Sequence, residues 1–140
     1  MGKTTWRIED HSDEFLKALE EQVEAGLTAI GIEAENAAKE IITEKGAVDT
    51  GRLRASITYA IAGEKAARET YQDDNGKTYD VDGKAPKRNG EAGVLIGTNV
   101  DYGKYVELGT TKMKERPFLK PAITQNAERF KELMKIALEK

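Results

Sequence analysis

Few side chains in this sequence could support catalysis or metal binding. His11 is the only histidine and there is no cysteine, so a zinc site or a histidine-activated nucleophile lacks partners. The oxygen-bearing residues of segment 73–82 do not have the spacing of a twelve-residue calcium loop with its distal glutamate. Gly97, Gly103 and Gly109 lack the lysine-serine ending of a phosphate-binding loop. The sequence therefore contains no recognisable catalytic, metal or cofactor site.

A small basic cluster is the first candidate for binding. Lys84, Lys87 and Arg88 fall on one polar loop, which leaves open a small nucleic-acid-binding or regulatory module using residues 84–88. No aromatic side chain is interleaved with these cations, and the whole chain has a net charge of −3. Both features argue against a protein whose main role is to bind nucleic acid.

Two further groups are candidates for contacts with other proteins. One combines a carboxylate with two guanidinium groups, and the other places aromatic side chains near a glutamate and an arginine, a combination that recurs in binding hot spots. Charged residues of this kind otherwise pair locally or are solvated, and the aromatic ones can equally pack the protein's own core. The candidate interface residues are Asp49, Arg52, Arg54, Tyr102, Tyr105, Glu107, Arg116 and Phe118.

The element that must carry most of the fold is a long amphipathic helix over residues 12–45. Apolar side chains from Leu16 to Ile41 recur at spacings of three and four residues, which is the helical repeat. At about 1.5 Å per residue the helix is roughly 50 Å long, too long for a core of this size to cover. Part of its apolar stripe is expected to meet another subunit. Gly26 and Gly31 weaken it unless they have a packing role.

The rest of the chain predicts an α+β fold in one domain, residues 1–140. An alternating strand at residues 57–61 and a short apolar strand at residues 93–98 bound a small antiparallel sheet within residues 57–98. The hairpin and loop of residues 63–91 contain an Asn75-Gly76 turn, and this hairpin is expected to protrude. A C-terminal helix is predicted at residues 121–138, with Pro121 in its first turn. No stretch approaches membrane-spanning length, which predicts a soluble protein made in the cytosol.

Charge is unevenly distributed along the chain. Residues 13–45 hold nine acids and three bases, a balance of −6, whereas residues 112–140 hold four acids and eight bases, a balance of +4. Segments of opposite sign can attract within one chain or between neighbouring subunits. The alternative is that they are simply two solvated helix faces.

Three motifs follow one another along the chain. They are Val48-Asp49-Thr50-Gly51-Arg52-Leu53-Arg54-Ala55-Ser56-Ile57, Tyr102-Gly103-Lys104-Tyr105-Val106-Glu107-Leu108-Gly109-Thr110 and Arg116-Pro117-Phe118-Leu119-Lys120-Pro121-Ala122. Together they resemble the head-tail joining proteins of long-tailed bacteriophages, also called neck or tail-completion proteins. The long helix that precedes the motifs and the terminal helix that follows them have the places expected for that family. Segment 64–91 matches least, as expected of a variable hairpin.

The resemblance implies a structural role in virion assembly, in phages or prophages, and no catalysis. It implies a minor structural protein that assembles as a ring, commonly of six subunits, at the junction of head and tail. Its partners would be itself, the neighbouring head-completion and tail proteins, and DNA only as it passes through the ring. The expected locations are the host cytoplasm during assembly and then the neck or tail end of the virion.

Overall fold

The computed structural model describes residues 12–45, 50–87 and 90–139, and it has the α+β fold that the sequence predicts. Five helices and four short strands follow one another along these residues. In chain order they are α1 (Ser12–Lys45), α2 (Thr50–Ser56), β1 (Thr58–Ile61), β2 (Thr70–Gln72), β3 (Thr78–Asp80), β4 (Val94–Gly97), α3 (Gly103–Leu108), α4 (Leu119–Thr124) and α5 (Ala127–Leu138).

Helix α1 is continuous over its 34 residues, as the apolar spacing predicts. Both interior glycines lie where another element approaches closely. A Cβ on Gly26 would lie 2.6 Å from the Met134 sulfur on α5, and one on Gly31 would lie 2.7 Å from Cγ of Tyr59 on β1. The two glycines therefore have a packing role, which offsets their low helix propensity.

The predicted sheet is divided into two antiparallel pairs in the described part of the chain. Strands β1 and β4 pair from Thr58 opposite Gly97 to Ile61 opposite Val94, and α1 packs against this pair. Strands β2 and β3 form the hairpin, with Tyr71 opposite Tyr79.

The hairpin turn forms around the Asn75-Gly76 pair. The Gly76 amide donates to the Asp73 carbonyl at 3.0 Å, and Gly76 has a φ of +83°, a conformation that costs glycine little. The Asp73 carboxylate accepts the amides of Asn75 and Lys77 at 2.9 and 3.0 Å. These bonds satisfy the backbone groups of the turn.

The core lies between the C-terminal half of α1, helix α2, and the segment from Val100 to Ala122. Phe118 is completely buried and is the largest of the fully buried side chains in the described residues. Tyr71 joins this core although it belongs to the hairpin, so the hairpin is anchored to the core through β2. The core residues are Ala38, Ile42, Leu53, Ile57, Tyr71, Val100, Val106, Phe118 and Ala122.

The C-terminal helix is not the single element predicted at residues 121–138. It starts two residues earlier and is interrupted at Gln125 and Asn126, which separate α4 from α5. Asn126 has φ −115° and ψ 13°, and its side-chain amide donates to the Ala122 carbonyl at 2.8 Å. Such a side chain competes with the backbone for the helical hydrogen bond, which explains the break.

Helix α5 runs antiparallel to α1, so that the basic C-terminal segment contacts the acidic helix α1. Arg129 forms an ion pair with Glu33 at 3.1 Å, and farther along Gln22 Nε2 donates to the Leu138 carbonyl at 3.5 Å. The attraction between acidic and basic segments thus operates within one chain along this contact. Residues 12–20 of α1 extend beyond it and are all exposed.

Candidate functional site

The junction of α3 and α4 is organised by the carboxylate of Glu107. Its Oε2 accepts the amides of Phe118 and Leu119 at 2.6 and 3.0 Å, and its Oε1 accepts the amide of Lys120 at 2.9 Å. These amides begin a helix and have no partner within it. Glu107 therefore caps α4 from a distance along the chain, with a negative charge at the positive end of that helix.

The loop between α3 and α4 is tied to its neighbours by backbone bonds. Gly109 ends α3 with a φ of +76°, and a Cβ there would lie 2.7 Å from the Glu115 amide nitrogen. The Arg116 amide donates to the Val106 carbonyl at 2.7 Å, and Lys45 Nζ donates to the Pro117 carbonyl at 2.8 Å. The loop is thereby held at the C-terminal end of α1.

Arg52 holds the hairpin against α2. Its guanidinium carbon lies 4.1 Å from the centre of the Tyr79 ring, and Tyr79 stacks on Tyr71 with ring centres 5.2 Å apart. A guanidinium over an aromatic ring is attracted by the ring's quadrupole. Arg52 thus contributes to the fold by contact with the hairpin.

Two titratable groups of the hairpin, Asp73 and Tyr79, have shifted pKa values. Burial alone would raise the pKa of Asp73, but hydrogen bonds from the Lys77 amide, the Tyr79 hydroxyl and the Asn75 amide lower it overall. Burial raises the pKa of Tyr79, and the bond that its hydroxyl donates to Asp73 at 3.1 Å raises it further. The hydrogen bond between the two side chains thus lowers the pKa of the Asp73 carboxyl and raises the pKa of the Tyr79 phenol.

The other predicted charged residues do not form one network in the described residues. Arg54 is exposed and donates to Thr43 Oγ1 on α1 at 3.3 Å, away from the hairpin contacted by Arg52. Asp49 lies outside the described residues.

The predicted aromatic residues divide between core and surface. Phe118 is buried, and Tyr102 is half-buried and packs against the core. Tyr105 is 46% exposed, with Lys104 Nζ 5.0 Å from the centre of its ring. The side chain of Arg116 is exposed. The structure therefore brings Glu107 and Phe118 together and leaves Tyr105 and Arg116 on the surface.

The sequence did not predict that the buried carboxylate of Glu35 forms two ion pairs. Glu35 is 4% exposed, and its Oε2 binds Arg68 at 2.7 Å and Lys39 at 3.1 Å. The spacing of Glu35 and Lys39 is the i, i+4 pattern of helix ion pairs, so half of this cluster was visible in the sequence. Arg68 comes from the loop before β2, and no local pattern indicates it.

Two exposed apolar surfaces lie at opposite ends of α1. The first, the α1 surface, consists of Phe15, Leu16 and Leu19, which are exposed by 66, 52 and 36%. The second, the α3 surface, consists of Tyr105, Leu108 and Met113, and Leu108 is 73% exposed. Adjoining apolar side chains of this size that remain in water mark sites of interaction with other proteins.

Within the described ranges, no cluster of histidine, aspartate and glutamate side chains has an arrangement that could hold a metal ion. The helices in the same ranges include none that is both long enough and apolar enough to cross a membrane.

A family of bacteriophage proteins matches most of this chain. The family model described as "Bacteriophage HK97-gp10, putative tail-component" matches residues 3–109. The chain therefore belongs to the HK97-gp10-like family of phage tail components, which confirms the resemblance seen in its motifs. The third motif, residues 116–122, lies beyond the matched range. No curated protein and no protein of solved structure matches the chain significantly.

Proposed function

We propose that this protein is a structural subunit of a ring at the neck or tail end of a phage particle, where it joins head to tail. The ring contains several copies, commonly six, and contacts head-completion and tail proteins while DNA only passes through its channel. The subunit is made in the host cytoplasm, folds as one domain over residues 1–140, and has no catalytic role.

The observation that carries this proposal is the pair of exposed apolar surfaces on a chain that belongs to a phage tail-component family. A ring subunit needs two different surfaces that bind one another, because a heterologous contact repeated around an axis closes the assembly. Surfaces that remain exposed in one subunit are then buried in the ring.

The roles of the motif residues also support a structural function. Arg52, Glu107 and Phe118 each hold one element of the fold against another. None of these contacts positions a nucleophile or an acid-base pair.

The proposal is tested by deleting the gene from a phage that carries it and examining the lysate by electron microscopy. We expect filled heads and separate tails that fail to join, with infectious particles restored by the gene supplied in trans. Normal virions without the gene would refute the proposal.

The nucleic-acid alternative is tested on the purified protein. Lys84 and Lys87 are both exposed, whereas Arg88 lies outside the described residues. A main role in binding DNA predicts tight binding that weakens steeply with salt and is lost when both lysines are replaced by alanine. Under the ring proposal, this double substitution leaves head-tail joining intact.

A further inference from the structure

We infer that the α1 surface of one subunit binds the α3 surface of a second copy of this chain, head to tail. The inference rests on the proposed ring function and specifies which residues form the contact between neighbours. The two surfaces cannot meet within one subunit, because the α3–α4 loop is fixed to Lys45 at the far end of α1. From Leu16 to Lys45 the helix spans about 44 Å at about 1.5 Å per residue.

The two surfaces match in apolar character. Phe15, Leu16 and Leu19 lie within five residues of one another on α1 at spacings of three and four, and all three are exposed. On the opposite end, Tyr105 and Leu108 are three residues apart on α3, so they lie side by side on that helix. Burying both surfaces against each other removes two apolar areas from water in a single contact.

The two surfaces also carry opposite charge. Residues 13–24 around the α1 surface hold five acids and one base, a balance of −4. Residues 103–116 around the α3 surface hold four bases and two acids, a balance of +2, and one of those acids, Glu107, is engaged in capping α4. Two copies of either surface would repel, whereas one of each attracts, so charge favours the heterologous pairing over a symmetric one.

Two subunits joined by this contact still have unused binding surfaces, unlike the two subunits of a symmetric dimer. After the α1 surface of one copy binds the next, each pair still exposes one α1 surface and one α3 surface. Further copies can then add in the same orientation until the ring closes.

The natural absence of cysteine allows the contact to be tested by disulfide cross-linking. Leu16→Cys and Leu108→Cys are prepared as separate proteins and mixed under mild oxidation. Both positions are more than half exposed, so neither substitution opens a cavity in the core. We expect a cross-linked dimer in the mixture and at most a trace from either variant alone. A chain with both cysteines should give a ladder of covalent multimers.

A matched control separates this contact from random collision. Lys131→Cys lies on α5 at a position that is 75% exposed but belongs to neither surface. Mixed with Leu108→Cys it should cross-link at least about tenfold more slowly than Leu16→Cys does. Equal rates would refute the assignment, and so would efficient cross-linking of Leu16→Cys to itself.

A charge exchange tests the electrostatic part. Adding Lys112→Glu and Lys114→Glu to the Leu108→Cys protein should slow its cross-linking to the Leu16→Cys protein by about tenfold or more. Adding Glu20→Lys and Glu21→Lys to the Leu16→Cys protein should restore the rate at which it cross-links to that charge variant. An unchanged rate in the first variant, or no recovery in the combination, would contradict the pairing.

Failure of this inference is distinguishable from failure of the proposed function. Rings visible by electron microscopy without the Leu16–Leu108 cross-link would overturn the contact alone. Normal virions assembled without the gene would overturn the neck function, whatever the cross-linking shows.

Discussion

Replacing Glu107 by alanine removes the carboxylate that accepts the amides of Phe118, Leu119 and Lys120. Loss of a helix cap costs about 0.5–2 kcal/mol, and a hydrogen bond to a charged group contributes about 1.5–3 kcal/mol. Water can replace the bond at the exposed Lys120, but the Phe118 amide lies beside a completely buried side chain. We therefore expect Glu107→Ala to lower the free energy of unfolding by about 2–3 kcal/mol.

The measurement is urea unfolding followed by circular dichroism, with the midpoint compared at constant slope. Glu107→Gln keeps one acceptor oxygen without the charge and should lose about half as much, because charge-assisted bonds are roughly twice as strong as neutral ones. Glu128→Ala is the control, since its side chain is 90% exposed and pairs with Lys131 on the same helix; it should change stability by less than about 1 kcal/mol. If Glu107→Ala behaves like this control, the capping role is wrong.

Three further changes test the packing and the hairpin. Phe118→Ala should cost roughly 3–5 kcal/mol, and an unchanged melting temperature with blocked incorporation into tails would instead make Phe118 an interface contact. Gly31→Ala should destabilise by about 1–3 kcal/mol because it meets the ring of Tyr59, whereas Gly26→Ala should be near neutral because the methionine opposite can move; equal effects in urea unfolding would contradict this. The fold lowers the pKa of Asp73 below its ordinary value of 3.8, so the ionised carboxylate stabilises the folded protein at pH values above 3.8. This stabilisation is lost as the pH falls through the lower pKa of the folded state. Asp73→Asn should therefore flatten the acid loss of stability between about pH 5 and 2; an acid limb as steep as that of the wild type would refute it.

The long helix could be predicted because its signal is local and repeated. Apolar residues return every three or four positions over most of α1, and the observed bounds, Ser12–Lys45, agree with the predicted ones. The hairpin turn could be predicted for the same reason, because Asn75-Gly76 specifies a backbone conformation within two residues.

The other features depend on pairs that are distant along the chain. The break between α4 and α5 depends on which hydrogen bond Asn126 makes, and Pro121 with the apolar spacing after it suggested one uninterrupted helix. The cap on α4 comes from Glu107, more than ten residues away. Arg52 was a candidate for a charged network with Asp49 and Arg54, and its contact with Tyr79 becomes apparent only once the hairpin folds back on α2.

The three motifs contain only part of the exposed surfaces: Tyr105 and Leu108 belong to the second motif, whereas the α1 surface lies outside all three. Arg52, Glu107 and Phe118 each lie in one of the three motifs, and each holds one element of the fold against another. Leu16 has no such mark, since it belongs to the same three- and four-residue apolar spacing as Ile41, which packs against the core. Leu16 is exposed because the packed helices differ in length. Helix α1 has 34 residues and α5 has 12, and α5 ends opposite Gln22. Phe15, Leu16 and Leu19 are consequently left exposed to water, and adjoining apolar side chains that stay in water give a subunit a physical reason to bind another protein.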